Sequence, residues 1–331
     1  MGRVRPLIGD VRLHVSVLGD EWRDGVRFPV LVALHGGPGV DGSKLRQLLR
    51  PAVDFAQVIV PDQRGHGYSD RSDAAHWNLD VWADDLARLV DVLGVDRPVV
   101  LGTSFGGFVV QRYLARYPDR PAAAVLVATA PRAADREAAI ERFRAVGGDR
   151  AADAMARSFR EATPEAEREW REVCAPLLAR HEPAAEVREA LRHRIHSTEV
   201  NLHFTPTLAT MDPRPGLREV RCPVLVLAGA DDPLISPDSS AEIVTALPAG
   251  LGELHVLPDA GHDVLSDRPA QAHSVIRRFL QLRGPRPGAG DSAAGVEGAE
   301  GVMGAEGVDL DGSGAERLHV DAEGGRPGRR R

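Results

Sequence analysis

The sequence has very little lysine and cysteine. Of its 41 lysine and arginine residues, only Lys44 is a lysine. This skew, together with abundant Ala, Gly and Pro, indicates a bias in nucleotide composition rather than a binding patch. The net charge is −7, which gives no reason to expect nucleic acid or an anionic membrane as a partner. The two cysteines, Cys174 and Cys222, lack the spacing of a metal site, so we expect no metal and no cofactor.

A long apolar run is also missing. Residues 1–10 do not resemble a signal peptide, and no stretch reads as a membrane-spanning helix, so the expected location is cytoplasmic. The chain has 331 residues, of which 43% are hydrophobic. That is enough for one large α/β domain with a sizeable core.

Short apolar runs and amphipathic segments alternate along most of the chain, which predicts a mostly parallel sheet flanked by helices. Residues 11–18 alternate apolar and polar side chains and are predicted to form an edge strand. Further strands are expected near Leu31, Val58, Val99, Val125, Val224 and Leu254. Helices are expected at 81–93, 105–117, 236–247 and 269–282, with Asp80, Ser236 and Asp267 as cap residues.

The alternation stops after the strand predicted near Val125. Residues 131–215 contain Arg-, Glu- and Ala-rich runs with helical spacing and no strand pattern, which predicts an all-helical insertion. The core is therefore expected to comprise residues 1–130 and 216–283. Residues 284–331 are rich in Gly, Ala, Glu and Pro, and we expect a disordered low-complexity tail.

Ser104 is the strongest functional signal. Residues 102–106 read Gly-Thr-Ser-Phe-Gly, preceded by an apolar strand pattern and followed by a helix pattern. A serine in such a Gly-x-Ser-x-Gly turn presents its hydroxyl above the edge of a sheet. Ser104 is therefore the candidate nucleophile.

A serine nucleophile needs a base, and the base needs an orienting carboxylate. Asp231 and Asp232 both lie in the turn after the buried strand pattern near Val224, and His262 lies in a loop after the next one. The order serine, aspartate, histidine is that of the α/β-hydrolases. The spacing alone leaves the choice between the two aspartates open.

Two upstream motifs strengthen this resemblance. Residues 35–39 read His-Gly-Gly-Pro-Gly, and residues 62–70 read Asp-Gln-Arg-Gly-His-Gly-Tyr-Ser-Asp. Both follow strand patterns and resemble the oxyanion loop and the loop after the fourth strand of the α/β-hydrolase superfamily. Their combination is similar to the proline iminopeptidase branch, although the Ser104 motif differs from the Gly-Gly-Ser-Trp-Gly of that branch.

The resemblance implies further roles. It places the triad acid three residues after Gly229, which favours Asp232, with Asp231 capping or bracing the turn. It implies that the backbone N–H groups of Phe105 and Gly37 form the oxyanion hole. It also implies that the helical insertion follows strand six of the fold and is a lid over the site.

Three functions follow for such a chain, all acting on or binding a small molecule or short peptide. The resemblance favours a proline iminopeptidase-like aminopeptidase, for which a lid carboxylate must hold the substrate's free α-ammonium. The insertion has many candidates for this carboxylate, including Glu161, Glu169, Glu172 and Glu199, and the sequence does not choose among them. A carboxylesterase or lactonase needs no such charge and is the alternative. A non-catalytic receptor would be expected to have a damaged triad or oxyanion loop, which this sequence lacks.

Overall fold

The structure is a computed structural model that describes residues 2–133, 135–285 and 288–289. Its largest sheet contains the strands Gly2–Val4 (β1), Val15–Leu18 (β2), Val30–Leu34 (β3), Gln57–Pro61 (β4), Val99–Thr103 (β5), Ala123–Val127 (β6), Val224–Gly229 (β7) and Gly252–Leu257 (β8). The strand order is β1-β2-β4-β3-β5-β6-β7-β8. β2 pairs antiparallel with β1 and β4, and all other neighbours are parallel. The predicted mostly parallel sheet is confirmed.

Helices cover both faces of this sheet, which explains the continuous apolar runs in its strands. They are Ser43–Leu48 (α1), Leu79–Val92 (α2), Phe105–Arg116 (α3), Pro237–Ala246 (α9), Val264–Asp267 (α10) and Pro269–Arg283 (α11), with α4 to α8 described below. Every residue of β3, β6 and β7 is buried. Neighbouring residues of β3 point to opposite faces: Val32 belongs to the cluster with α2, α3 and α9, and Leu31 to the cluster with α1 and α11.

The described residues between β6 and β7 form helices and loops, and they contribute no strand to the large sheet. We call residues 131–215 the helical insertion. Its α-helices are Arg136–Arg160 (α4), Pro164–Val173 (α5), Ala185–Arg192 (α6), Thr198–Phe204 (α7) and Arg214–Leu217 (α8), the last of which extends two residues past the insertion. Gly148 has φ +73° and breaks α4 in two. Phe143, Met155 and Cys174 give the insertion a small apolar core of its own.

The prediction of an edge strand at residues 11–18 is wrong. Val11–Arg12 instead pairs with Leu7–Ile8 in a separate two-stranded sheet, and β2 lies inside the large sheet. The edge position belongs to β1, which is only three residues long and too short to give a periodic signal in the sequence.

Most of the predicted tail lies outside the described residues. Gly288–Ala289 pairs antiparallel with Val26–Arg27, which also pairs with Trp22–Arg23. The rest of the predicted tail after residue 285 is not among the residues described. None of the described helices is both long and apolar enough to cross a bilayer.

Candidate active site

Ser104 occupies the sharp turn between β5 and α3. Its backbone has φ 49° and ψ −120°, which is a sparsely populated conformation for a residue with a side chain. The surroundings hold this strained turn in place, because Ser104 N–H donates to Val127 O at 2.9 Å and Gly107 N–H donates to Ser104 O at 2.9 Å. The hydroxyl is thereby presented at the carboxyl edge of the sheet.

The glycines on either side of Ser104 are required by close backbone approach. A Cβ on Gly102 would lie 2.5 Å from the carbonyl oxygen of Gly106. A Cβ on Gly106 would lie 2.5 Å from the carbonyl oxygens of His35 and Leu34. Larger residues would therefore push α3 away from β3 and β5, and the serine would move with the helix.

His262 connects Ser104 with Asp232. Its Nε2 accepts from the Ser104 hydroxyl at 2.9 Å, and its Nδ1–H donates to Asp232 Oδ2 at 2.8 Å. Both His262 and Asp232 are buried. Burial opposes a charged imidazole, but the Asp232 carboxylate, with a smaller effect of Asp263, outweighs burial, so the pKa of His262 is raised above its usual value. The arrangement can remove a proton from Ser104 and stabilise the resulting imidazolium.

The structure places Asp232, and not Asp231, next to the histidine. Asp232 Oδ1 accepts from the N–H groups of Leu234 and Ile235 at 2.8 and 2.9 Å, which leaves Oδ2 for His262. Asp231 is half-exposed, and its carboxylate lies 3.7 Å from Arg180 Nε. The turn after β7 therefore points the two neighbouring carboxylates in different directions.

The two backbone N–H groups predicted for the oxyanion hole, those of Gly37 and Phe105, are free to donate. Neither has an acceptor within the described part of the chain. The loop that carries Gly37 lies against Ser104, since a Cβ on Gly36 would be 3.1 Å from Ser104 Cβ. Gly37 itself has φ +127°, a conformation that favours glycine.

Two buried histidines hold the Gly37 loop. His35 Nε2 accepts from Gln63 N–H at 3.1 Å, and His66 Nε2 accepts from Gly39 N–H at 2.9 Å. Each ring therefore needs an unprotonated Nε2. Burial lowers the pKa of both histidines, most strongly for His66, which keeps the rings neutral. They act as acceptors for the loop and its neighbour.

The loop that carries His262 is tied to the helical insertion by Asp267, a contact that the sequence did not indicate. The buried Asp267 carboxylate accepts from Gly261 N–H at 2.8 Å and from the N–H groups of Arg180 and His181 at 3.0 Å. The predicted capping role of Asp267 is wrong, because Arg268 occupies the N-cap position of α11. The carboxylate points away from the helix and toward two chain segments that need an acceptor.

We expect Asp267→Ala to lower the free energy of unfolding by about 3 kcal/mol, because it leaves buried N–H groups without their charged acceptor. It should also lower kcat/KM, because the loop of His262 loses its support. Urea unfolding monitored by circular dichroism measures the first effect. Asp267→Asn retains an acceptor oxygen and should lose less stability. An unfolding midpoint unchanged in Asp267→Ala would contradict this role.

The cysteines take no part in the site. Cys174 and Cys222 are both buried, and burial raises the pKa of each thiol to about 12. Among the residues that the structure describes, no cluster of three or more His, Cys, Asp or Glu side chains is arranged to hold a metal ion.

Ser104 lies in the tight turn between β5 and α3, Asp232 in the turn after β7 and His262 in the loop after β8. This arrangement at the carboxyl edge of a mostly parallel sheet is that of an α/β-fold hydrolase. The chain belongs to the alpha/beta hydrolase fold family, whose model matches residues 29–269. The predicted fold and the predicted enzyme class are therefore confirmed.

Individual relatives include several kinds of hydrolase. A proline iminopeptidase from Clostridium botulinum is 30% identical over 240 residues, covering 68% of this chain and 80% of that enzyme, which confirms the resemblance to that branch. A 2-hydroxymuconate semialdehyde hydrolase from Pseudomonas sp. strain CF600 is 32% identical over 126 residues, covering 38% of this chain and 44% of that enzyme. That match spans less than half of the relative's length. The structure of a thermophilic esterase from Thermogutta terrifontis superimposes with a TM-score of 0.64 at 27% identity, covering 85% and 99% of the two chains.

Proposed function

We propose that this protein is a serine hydrolase in which Ser104 is the nucleophile, His262 the general base and Asp232 the orienting acid. The observation that carries the proposal is the continuous hydrogen-bonded chain from Ser104 Oγ through His262 to Asp232, with distances of 2.9 and 2.8 Å. The free N–H groups of Gly37 and Phe105 beside Ser104 add the second requirement of acyl transfer, which is stabilisation of an oxyanion.

The reaction proceeds in two halves. As Ser104 Oγ bonds to the substrate's carbonyl carbon, its proton passes to His262 Nε2, and the carbonyl oxygen becomes an oxyanion held by Gly37 and Phe105. The imidazolium then gives its proton to the leaving alkoxide or amine, and the acyl group remains on Ser104. Water deacylates the enzyme by the same steps, with His262 taking a proton from the water and returning it to Ser104.

We infer that the helical insertion is a lid whose contacts place it beside these residues. Asp263 N–H, next to His262, donates to Leu178 O at 3.3 Å. On the acid side, the Arg142 guanidinium donates to the carbonyl oxygens of Pro233 and Leu234 at 3.1 and 3.2 Å. The insertion thus contacts both loops that carry partners of Ser104, which is the position from which it can select substrates.

The charge distribution of the insertion favours an ester or lactone substrate over a free amino terminus. A buried α-ammonium needs a carboxylate partner, since an unpaired buried charge is costly. Glu161 and Glu169 both bind Arg157, at 3.1 and 2.7 Å. Glu199 is half-exposed and lies 3.8 Å from Arg71, and Glu172 is exposed. None of these four carboxylates is both buried and unpaired.

An aminopeptidase resembling proline iminopeptidase is the second candidate. It is favoured by the His-Gly-Gly-Pro-Gly loop at residues 35–39 and by the Clostridium botulinum relative, of which the chain covers 80% at 30% identity. It would need a lid carboxylate to be recruited when substrate binds.

A substrate panel separates the two candidates. We expect turnover of short-chain 4-nitrophenyl esters or of a small lactone, and little cleavage of prolyl or alanyl 4-nitroanilide, because none of the four candidate carboxylates is both buried and unpaired to meet their ammonium group. The N-acetylated anilides serve as matched controls without that charge. Cleavage of the free anilides combined with rejection of the acetylated ones would establish the aminopeptidase instead. Loss of every activity in Ser104→Ala shows that the measured turnover belongs to this site.

A further inference from the structure

The only lysine of the chain is placed beside the catalytic loop. Lys44, in α1, forms an ion pair with Asp263, the residue that directly follows His262. Both side chains are largely buried, with 17% of Lys44 and 20% of Asp263 exposed. The two residues are 219 positions apart in the sequence, so the fold alone brings them together.

Asp263 is held in place by its backbone. Its N–H donates to Leu178 O at 3.3 Å, and its carbonyl oxygen accepts from Ser266 and Asp267 N–H at 2.8 and 2.9 Å. These hydrogen bonds hold the backbone of Asp263 on both sides, next to His262 in the loop. Burial alone would favour its neutral form, but the Lys44 ammonium, with smaller effects of Arg194 and of His262 when protonated, lowers the pKa of Asp263, so it carries a negative charge.

Three charged groups act on the imidazole of His262. Asp232 accepts a hydrogen bond from it in the turn after β7, Asp263 is the next residue in its own loop, and Lys44 of α1 forms an ion pair with Asp263. Arg194, which follows α6, acts on Asp263 from the insertion. Asp232 and Asp263 both favour the imidazolium, and Lys44 opposes it.

We propose that Lys44 is a positioning residue for the general base: its ammonium binds and neutralises Asp263, so that Asp232 is the uncompensated carboxylate beside His262. The catalytic meaning of this role rests on the proposed function. A second uncompensated carboxylate would stabilise the imidazolium in the resting enzyme, and an imidazolium cannot accept the proton of Ser104. Lys44 therefore keeps more of the enzyme in the base-competent form at a given pH.

The direct test is the titration of His262 by NMR of histidine-labelled protein, with its resonance assigned as the one absent from His262→Gln. Lys44→Met should raise the pKa of His262 by about one pH unit, the size of a close charge effect. Asp263→Asn should lower it, because Lys44 then acts without its partner. In the variant that combines Lys44→Met with Asp263→Asn, the pKa of His262 should return most of the way to the wild-type value. In Lys44→Arg, which keeps the positive charge, His262 should titrate as it does in the wild type.

Activity gives a second readout. Because catalysis needs neutral His262, the acid limb of kcat/KM should move to higher pH in Lys44→Met and to lower pH in Asp263→Asn. The rate of Ser104 labelling by a fluorophosphonate should shift in the same directions, and it needs no knowledge of the natural substrate. These shifts separate a role in tuning the base from a purely structural one, which would lower activity equally at every pH.

The proposal is overturned if His262 titrates identically in Lys44→Met and wild type, or if the double variant fails to reverse the shift. If Lys44→Met does not fold, Asp263→Asn and Lys44→Arg still test the proposal. The pKa of His262 should fall in Asp263→Asn and should keep its wild-type value in Lys44→Arg. The NMR measurement is independent of turnover. If the pKa of His262 shifts as expected in these variants but the protein hydrolyses no substrate, the proposed function is wrong. The effect of Lys44 on the pKa of His262 is then still established.

Discussion

Ser104→Ala is expected to lower kcat/KM by about 10⁶-fold, leaving only the residual catalysis that binding and the oxyanion donors supply. The substitution removes the atom that bonds to the substrate and leaves the elbow intact, because the backbone contacts of residue 104 with Val127 and Gly107 do not involve its side chain. Steady-state kinetics on the best ester of the panel measures the loss. Covalent labelling by a fluorophosphonate, followed by peptide mass spectrometry, identifies the reacting residue.

Ser266→Ala is the matched control for this experiment. Ser266 also lies near the site, four residues after His262, but its hydroxyl is buried and lacks a hydrogen-bond partner among the described residues. We expect this variant to keep both its activity and its labelling. Labelling that persists in Ser104→Ala would move the nucleophile to another residue.

The second large effect is expected at Asp232. In Asp232→Asn the amide oxygen can still accept from the N–H groups of Leu234 and Ile235, so its NH₂ group then faces His262 Nδ1. That donor favours the tautomer with the proton on Nε2, which cannot accept the proton of Ser104. We expect a loss in kcat of about 10⁴-fold with little change in stability.

Asp231→Asn is the comparison, because the same chemical change is made one residue away. Asp231 is half-exposed and pairs only loosely with Arg180. An exposed ion pair contributes at most about 1 kcal/mol, so the expected loss is less than about fivefold. A larger loss in Asp231→Asn than in Asp232→Asn would reverse the assignment.

Much of the sheet and the candidate triad could be predicted because the signals are local. Ser104 and His262 each follow a strand pattern directly, and the carboxyl ends of parallel strands meet at one edge. The spacing alone does not decide between Asp231 and Asp232, because both lie in one turn and only their tertiary partners distinguish them. The short strand β1 could not be predicted, because three residues carry no measurable periodicity.

The supporting contacts of the site could not be predicted for a different reason. Asp267 binds backbone N–H groups 86 and 87 positions away, and Lys44 meets Asp263 over 219 positions. Backbone donors leave no trace in the sequence at all. An isolated lysine that follows a glycine-rich loop is equally uninformative until the fold is known, because the sequence around it does not distinguish it from a lysine on the surface.

The contact made by Asp267 has a consequence for how such enzymes can diversify. Its partners in the insertion are the main-chain N–H groups of Arg180 and His181, which every amino acid except proline possesses. The attachment thus constrains the path of the chain and leaves the identity of the side chains free. As far as this contact is concerned, an insertion of quite different sequence could replace the present one, provided that it brings two main-chain amides to the same place. Selectivity could then be rebuilt without disturbing the bond-breaking residues.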